Sequence, residues 1–240
     1  PGAHKRYEQV TGMSPEHAQG ILQDGRNDGA YGRVTRDDGT TAFVAGPGGD
    51  ESSLPWTLIR DIPAESAHPL LCHESFVCVC VEVSLDAADP VDFLHKATAF
   101  ANQKLWGTLA ASITVPPGFR RDRRGAAALD ESIDRLEYGV VGVNQWAGVA
   151  FALMSPPWGG YPGSSLADVR SGCGWVHNSC MLAGIEKTVL DAPLRVVPKP
   201  VWSPDHPAPE QLSWAMFELM RRPDLLRMSG LGMQAVRGGL

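Results

Sequence analysis

The chain has 240 residues, enough for one large core or for one domain with an appendage. Its 43% hydrophobic and 20% charged content is that of an ordinary globular protein. With 21 basic against 27 acidic residues the net charge is −6, which gives no electrostatic footprint for a nucleic-acid partner.

The N-terminal stretch PGAHKRYEQV has no apolar h-region, so no targeting segment is expected there. Up to about Ala67 the chain is rich in turns: QDGRNDGAYG, RDDGT and GPGGDESS break every run into short pieces. A helix start fits Ser14-Pro15, an N-cap followed by proline at the first helical position. Two short strands fit TAFVAG and PWTLIRDI. The character changes near residue 70, which divides the chain into a turn-rich segment over 1–70, an α/β core over 71–193 and a Pro-rich connector with a helical tail over 194–240.

FVCVCVEVSL is β-branched and apolar on both faces, as a strand buried on both sides would be. Asp89-Pro90 then reads as N-cap and first helical residue of VDFLHKATAFANQKLWG, whose apolar residues recur every three or four positions up to Gly107. TLAASITVPP reads as a second strand, AAALDESIDRLEYG as a second amphipathic helix and VVGVNQW as a third strand. That alternation predicts a pair of βαβ crossovers and a mostly parallel sheet with flanking helices. The four arginines of FRRDRRG, between the second strand and second helix, read as a solvated loop. The stretch Gly139–Met154 is the longest apolar one, but Asn144 and Gln145 interrupt it, so it does not predict a membrane span. A Gly/Pro-rich loop over Ser155–Gly163, a short helix over Ser165–Arg170 and a strand in EKTVLDA follow. PLRVVPKPVWSPDHPAPE, with six prolines, is a connector, and QLSWAMFELMRRPDLLRM is helical with a proline break.

The chemistry begins with LCHESFVCVC. Period-two alternation puts Cys72, Glu74, Phe76, Cys78 and Cys80 on one strand face. Three cysteines on a strand face do not make a zinc site, which uses looped Cys-x₂₋₄-Cys spacing, so no metal is expected and the cysteines read as small apolar fillers. Five cysteines in all argue against a disulfide framework and for a reducing compartment, with the cytoplasm as the default. Glu74 differs, because a carboxylate at the end of a sheet stands where ligands tend to bind. In SGCGWVHN, Cys173 lies between glycines four residues before His177, a spacing open to a Cys–His pair. Gly230, Gly232 and Ala235 match a dinucleotide fingerprint only in letters, since no strand precedes them.

Taken together, these motifs resemble the aldehyde dehydrogenase family, in the C-terminal part of its catalytic domain. Glu74–Val115 resembles the family's Glu-x-Phe strand, its following helix with an Asn-x-x-x-x-Gly end, here Asn102 and Gly107, and its next strand. YGVVGVNQW is similar to the Gly-x-Val-x-Val-Asn strand, SPPWGGYPGS to the Pro-Phe-Gly-Gly loop, and IEKTVLDAP to the last strand. The order is preserved over Glu74–Pro193. His177-Asn178 and Lys199-Pro200-Val201-Trp202 resemble a divergent branch with a C-terminal extension.

The resemblance implies an aldehyde-dehydrogenase-like catalytic domain, present in part, and an enzyme that oxidises an aldehyde to a carboxylic acid with NAD or NADP through a cysteine thioester. Glu74 would hold the hydroxyls of the nicotinamide ribose, and Phe76 would lie against the nicotinamide. Beyond Phe76 the family has Gly-Pro where this chain has Val77-Cys78. Trp146 and Phe151 are candidates for lining the aldehyde channel. The family's nucleophilic cysteine, general-base glutamate, oxyanion asparagine and nucleotide-binding domain precede the Glu-x-Phe motif, and Pro1–Leu71 contains no cysteine. No catalytic residue is therefore assigned to this chain, which is expected to be inactive alone. Its expected partners are an aldehyde, the N-terminal half of the enzyme or another subunit, and further copies of itself, with no nucleic acid and no membrane. The alternative is a truncated, non-catalytic family member acting as an assembly or interaction module.

Overall fold

The computed structural model describes residues 2–18, 32–45, 54–196 and 208–239. Two of the N-terminal turn segments, over 23–31 and 46–53, lie outside the described residues, as does Lys199–Trp202. The chain has mixed α/β content, with parallel and antiparallel sheets and flanking helices.

The N-terminal part opens with helix α1 (Gly2–Thr11), followed by a helical turn at 15–18 where Ser14 accepts from the His17 N–H. Strands β1 (Gly32–Thr35) and β2 (Thr41–Ala45) form an antiparallel hairpin. RDDGT makes its turn: Gly39 takes φ 81°, and the Asp38 carboxylate accepts from the Thr40 N–H. β3 (Trp56–Arg60) pairs antiparallel with β2. Beyond a single helical turn, α2 (Pro69–Cys72), strand β4 (Val79–Val81) pairs with β3 in parallel. The first sheet therefore runs β1-β2-β3-β4. Its inner face carries Ala42, Val44 and Ile59 against Tyr7, and the Tyr7 hydroxyl meets Thr57 Oγ1 at 2.6 Å in the buried interior.

The second half holds a separate sheet, β5 (Ala110–Ile113), β6 (Val140–Val143) and β9 (Thr188–Asp191), entirely parallel in the order β5-β6-β9. β6 is buried along its whole length, the pattern of a central strand covered on both faces. Helix α3 (Pro90–Lys104) is capped as expected: the Asp89 carboxylate accepts from Val91 N and Asp92 N, both at 2.9 Å. Helix α5 (Arg123–Arg135) packs beside α3 over this sheet. A two-stranded antiparallel pair, β7 (Trp158–Gly159) and β8 (Trp175–Val176), closes the Gly/Pro-rich region, preceded by the single turn α6 (Val149–Ala152). Gly139, at the start of β6, has no room for a side chain, since a Cβ there would stand 2.0 Å from the Gly159 carbonyl oxygen. The tail is a hairpin of α7 (Pro209–Arg221) and α8 (Leu225–Gly239), broken at Pro223 as predicted.

Four expectations are corrected. First, FVCVCVEVSL is a strand only over Val79–Val81. Among the described residues it pairs on one side alone, and its apolar run is half-buried rather than enclosed. Second, β4 and β5 belong to different sheets. The crossover through α3 joins the two sheets, whereas the crossover through α5 joins parallel neighbours β5 and β6. Third, FRRDRRG is helical rather than a loop, although Arg121, Asp122, Arg123 and Arg124 are exposed as expected. It forms α4 (Pro117–Arg121) and the start of α5, because Asp122 caps α5 by accepting from the Gly125 N–H, and Arg120 and Arg124 pair with Asp191 and Asp89. Fourth, Ser165–Arg170 is turns and bends, not helix.

Candidate functional site

Glu74 and Phe76 lie in an irregular segment between α2 and β4, not on a strand face, so the period-two row from Cys72 to Cys80 does not form. What fixes this segment is Arg6 of α1. Its Nε donates to the Ser75 carbonyl and its Nη2 to the Glu74 carbonyl, each at 3.0 Å. A guanidinium is suited to this because its donors diverge in a rigid plane. Ser75 Oγ adds weaker contacts to the Val77 and Val79 carbonyls. With its main chain held, the segment leaves the Glu74 side chain exposed, with no hydrogen bond or ion pair among the described residues. Phe76 is 76% exposed and takes φ 53°, a left-handed conformation uncommon for a bulky residue.

A concavity of about 660 Å³ opens beside this segment on the outer face of the first sheet, lined by Phe43, Trp56, Leu58, Val77 and Cys80 among others. Arg60 and Glu82 close one end as an ion pair at 2.7 Å. Cys80 is exposed there, which corrects its reading as a buried filler; Cys78 fits that reading better. The Cys78 Sγ lies 3.1 Å from the Pro55 carbonyl as a donor, and burial pushes its thiol pKa up, so it stays protonated. All five cysteines are free.

The second pair of candidates follows β6. Asn144 ends the strand at φ 55°, and its Oδ1 accepts from the Val115 N–H at 2.8 Å, tying the ends of β5 and β6 together. Trp146 is 73% exposed, and its ring lies where a side chain on Gly148 would be, 2.4 Å from the position of a Cβ. Phe151 is half-exposed on α6, edge-on to Trp158 at 5.6 Å and against the His177 ring at 4.6 Å. His177 has φ 63°, and its buried Nδ1 has no partner among the described residues. Cys173 is exposed and has no bond to His177, so the imidazole serves the aromatic cluster rather than a Cys–His pair. No hydrogen bond, ion pair or ring contact among the described residues joins Glu74 and Phe76 to Trp146 and Phe151.

Two residues of this region escape a reading of the sequence. Arg6 acts across 69 positions, with nothing in KRYEQV to point at Ser75. His177 is visible in HN, but its stacking on Phe151 depends on the β7–β8 pairing. Among the described residues no group of His, Cys, Asp and Glu could hold a metal ion, and no helix is long and apolar enough to cross a membrane. No protein family, curated protein or solved structure matches the chain.

Proposed function

We propose that the chain is a portion of an NAD(P)-dependent aldehyde dehydrogenase, supplying contacts to the nicotinamide ribose and to the aldehyde channel. The observation that carries the reading is the Glu74–Phe76 segment itself, pinned by Arg6 through two consecutive carbonyls while its carboxylate and aromatic ring stay free. A carboxylate with two unengaged oxygens suits a vicinal diol, because each hydroxyl can donate to one oxygen. Phe76, two residues on, would limit how far the nicotinamide slides. When bound, NAD(P) accepts the hydride removed from the aldehyde carbon. Trp146 and Phe151 would wall the approach of an apolar aldehyde and keep water from it. The nucleophile and general base would come from the other half of the enzyme, which makes that half, or another subunit, the expected partner.

The second reading, a non-catalytic assembly module, is favoured by the tail hairpin. Trp214, Phe217, Met220, Leu225 and Leu226 are all more than half exposed on α7 and α8, and large exposed apolar patches mark interaction surfaces.

The test is Glu74→Gln in enzyme reconstituted with its complementary half. An amide offers one acceptor oxygen where the carboxylate offers two, and losing a charged hydrogen bond costs roughly ten- to a hundredfold. That loss is expected in single-turnover hydride transfer, since a displaced ring costs orientation first. Cys78→Ser should change thermal stability and leave the hydride step alone, and Cys80→Ser, at an exposed position, should change neither. An unchanged hydride rate in Glu74→Gln would overturn the cofactor assignment. Failure of every complementary half to restore activity would favour the assembly module.

A further inference from the structure

The two sheets are roofed by one helix. Phe100 and Leu105, at and just beyond the C-terminal part of α3, pack against the core of the first sheet. Val91 and Leu94, in its first turns, pack against the core of the second, and Trp106 N donates to the Leu71 carbonyl just after the helix. Below α3 the second sheet ends at β5, which has β6 on one side and no strand on the other among the described residues. The Leu109 and Ile113 carbonyls accept from Val140 N and Asn144 N on the β6 side. In a parallel ladder this alternation turns the N–H and C=O groups of Ala110 and Ser112 toward the open edge. Along that edge runs a slot of about 440 Å³ between β5 and the underside of α3, lined by Phe93, Ala97, Ala101, Ile113 and Tyr138 among others.

None of the residues lining the slot is charged. A crossover helix ordinarily buries its apolar side on the strands it connects. Here Phe93 is 45% exposed above a space that holds no strand of the described residues. An unpaired parallel edge beneath an apolar roof is an unusual surface, since parallel strands occur with both faces covered and their edges are templates for pairing.

We propose that the β5 edge is a strand-accepting site, taking one extended, uncharged polypeptide segment that pairs in parallel with β5 under α3. The backbone of Ala110 and Ser112 gives the hydrogen bonds. The neutral lining selects the occupant by charge complementarity, because a carboxylate or ammonium directed into the slot would lose its hydration without a counter-charge. The site follows from the fold alone and is independent of the aldehyde dehydrogenase reading; in that reading the segment comes from the partner half.

The probe is a short synthetic peptide of alternating valine and threonine, flanked by lysines, with a control in which aspartate replaces valine. Backbone amide exchange is followed residue by residue. The valine peptide should slow exchange at Ala110 and Ser112 about tenfold or more, and the aspartate peptide should not. Ala110→Pro removes one outward N–H at the first strand position, where proline is tolerated, and Ala97→Phe fills the slot from above. Each should abolish the protection at Ser112, the amide both variants retain, while β6 amides keep their wild-type exchange. Protection confined to β9, or retained in both variants, would overturn the proposal. So would protection of Ala110 and Ser112 in peptide-free protein that vanishes on dilution, since a second copy would then occupy the edge.

Discussion

Removing the Arg6 guanidinium tests whether the candidate cofactor segment is held in place or merely adjacent to α1. In Arg6→Ala two charge-assisted hydrogen bonds disappear, one part-buried at Ser75 and one exposed at Glu74. A hydrogen bond to a charged group contributes about 1.5–3 kcal/mol when shielded and much less in water, so the pair together is worth about 2 kcal/mol. That corresponds to roughly a thirtyfold change in the opening equilibrium of the segment. Phe76, at φ 53°, favours opening of the segment in wild type and variant alike, so its left-handed strain leaves the ratio between them unchanged. Amide exchange over Ser75–Val79 should therefore accelerate about thirtyfold. For a chain of this size the melting temperature should fall by about 4–8 °C if the segment opens with the whole fold. Arg6→Lys should recover about half, since an ammonium lacks the fork that spans two carbonyls. Exchange unchanged over Ser75–Val79 in Arg6→Ala, with a melting point within about a degree of wild type, would refute the reasoning.

Two further outcomes are expected. Lys187 is 9% exposed and donates to the Ile133, Asp134 and Leu136 carbonyls at the C-terminal end of α5, at 3.0, 2.7 and 2.8 Å. Lys187→Met orphans these acceptors and removes a cation from the negative end of the helix, so urea titration should show a loss of about 2–3 kcal/mol; a loss under about 0.5 would discount the contact. The Arg120 guanidinium holds the Asp191 carboxyl below its ordinary range, chiefly by a hydrogen bond. A carboxylate depressed on folding contributes stability above its unfolded pKa, about 3.9, and loses it as pH falls through the lower folded value. The gap in urea midpoint between wild type and Asp191→Asn should hold from neutral pH to about 5 and close below about 4; a gap still open at about pH 2 would point to a packing effect.

Local signals in the sequence were accurate wherever one short interaction decides the structure. Asp89 before Pro90 capped its helix because a carboxylate next to free N–H groups needs no tertiary partner, and RDDGT turned at Gly39 for the same reason. The buried run Val140–Val143 was legible because a four-residue apolar strand between two helices has few places to go. Glu74 and Phe76 were legible as a pair through their motif, but not their conformation. A run of alternating residues reads as a strand until something binds its backbone elsewhere, and here Arg6 takes the consecutive Glu74 and Ser75 carbonyls, which in a strand would face neighbours on opposite edges. The arginine-rich stretch is helical for the opposite reason: two of its charges, Arg120 and Arg124, have partners, Asp191 and Asp89, that lie far from them in sequence.

The division into two sheets is of another kind, because nothing local distinguishes a strand that pairs within its βαβ unit from one that pairs elsewhere. β4 had two available neighbours, β5 across the α3 crossover and β3 across the α2 turn. The structure gives it β3, with Thr57, Leu58 and Ile59 opposite Val79, Cys80 and Val81. That choice keeps Val79 and Val81 against the core built on Tyr7 and Ile59. It also leaves α3 anchored in both cores, with an apolar underside that neither sheet fills. The half-buried run after Phe76, the open edge at Ala110 and the partly exposed Phe93 then share one cause. Each is a group whose sequence suits a continuous parallel sheet, in a fold where the sheet is interrupted. Slow exchange at Ala110 and Ser112 once a neutral strand is supplied would show that interruption to be a binding site.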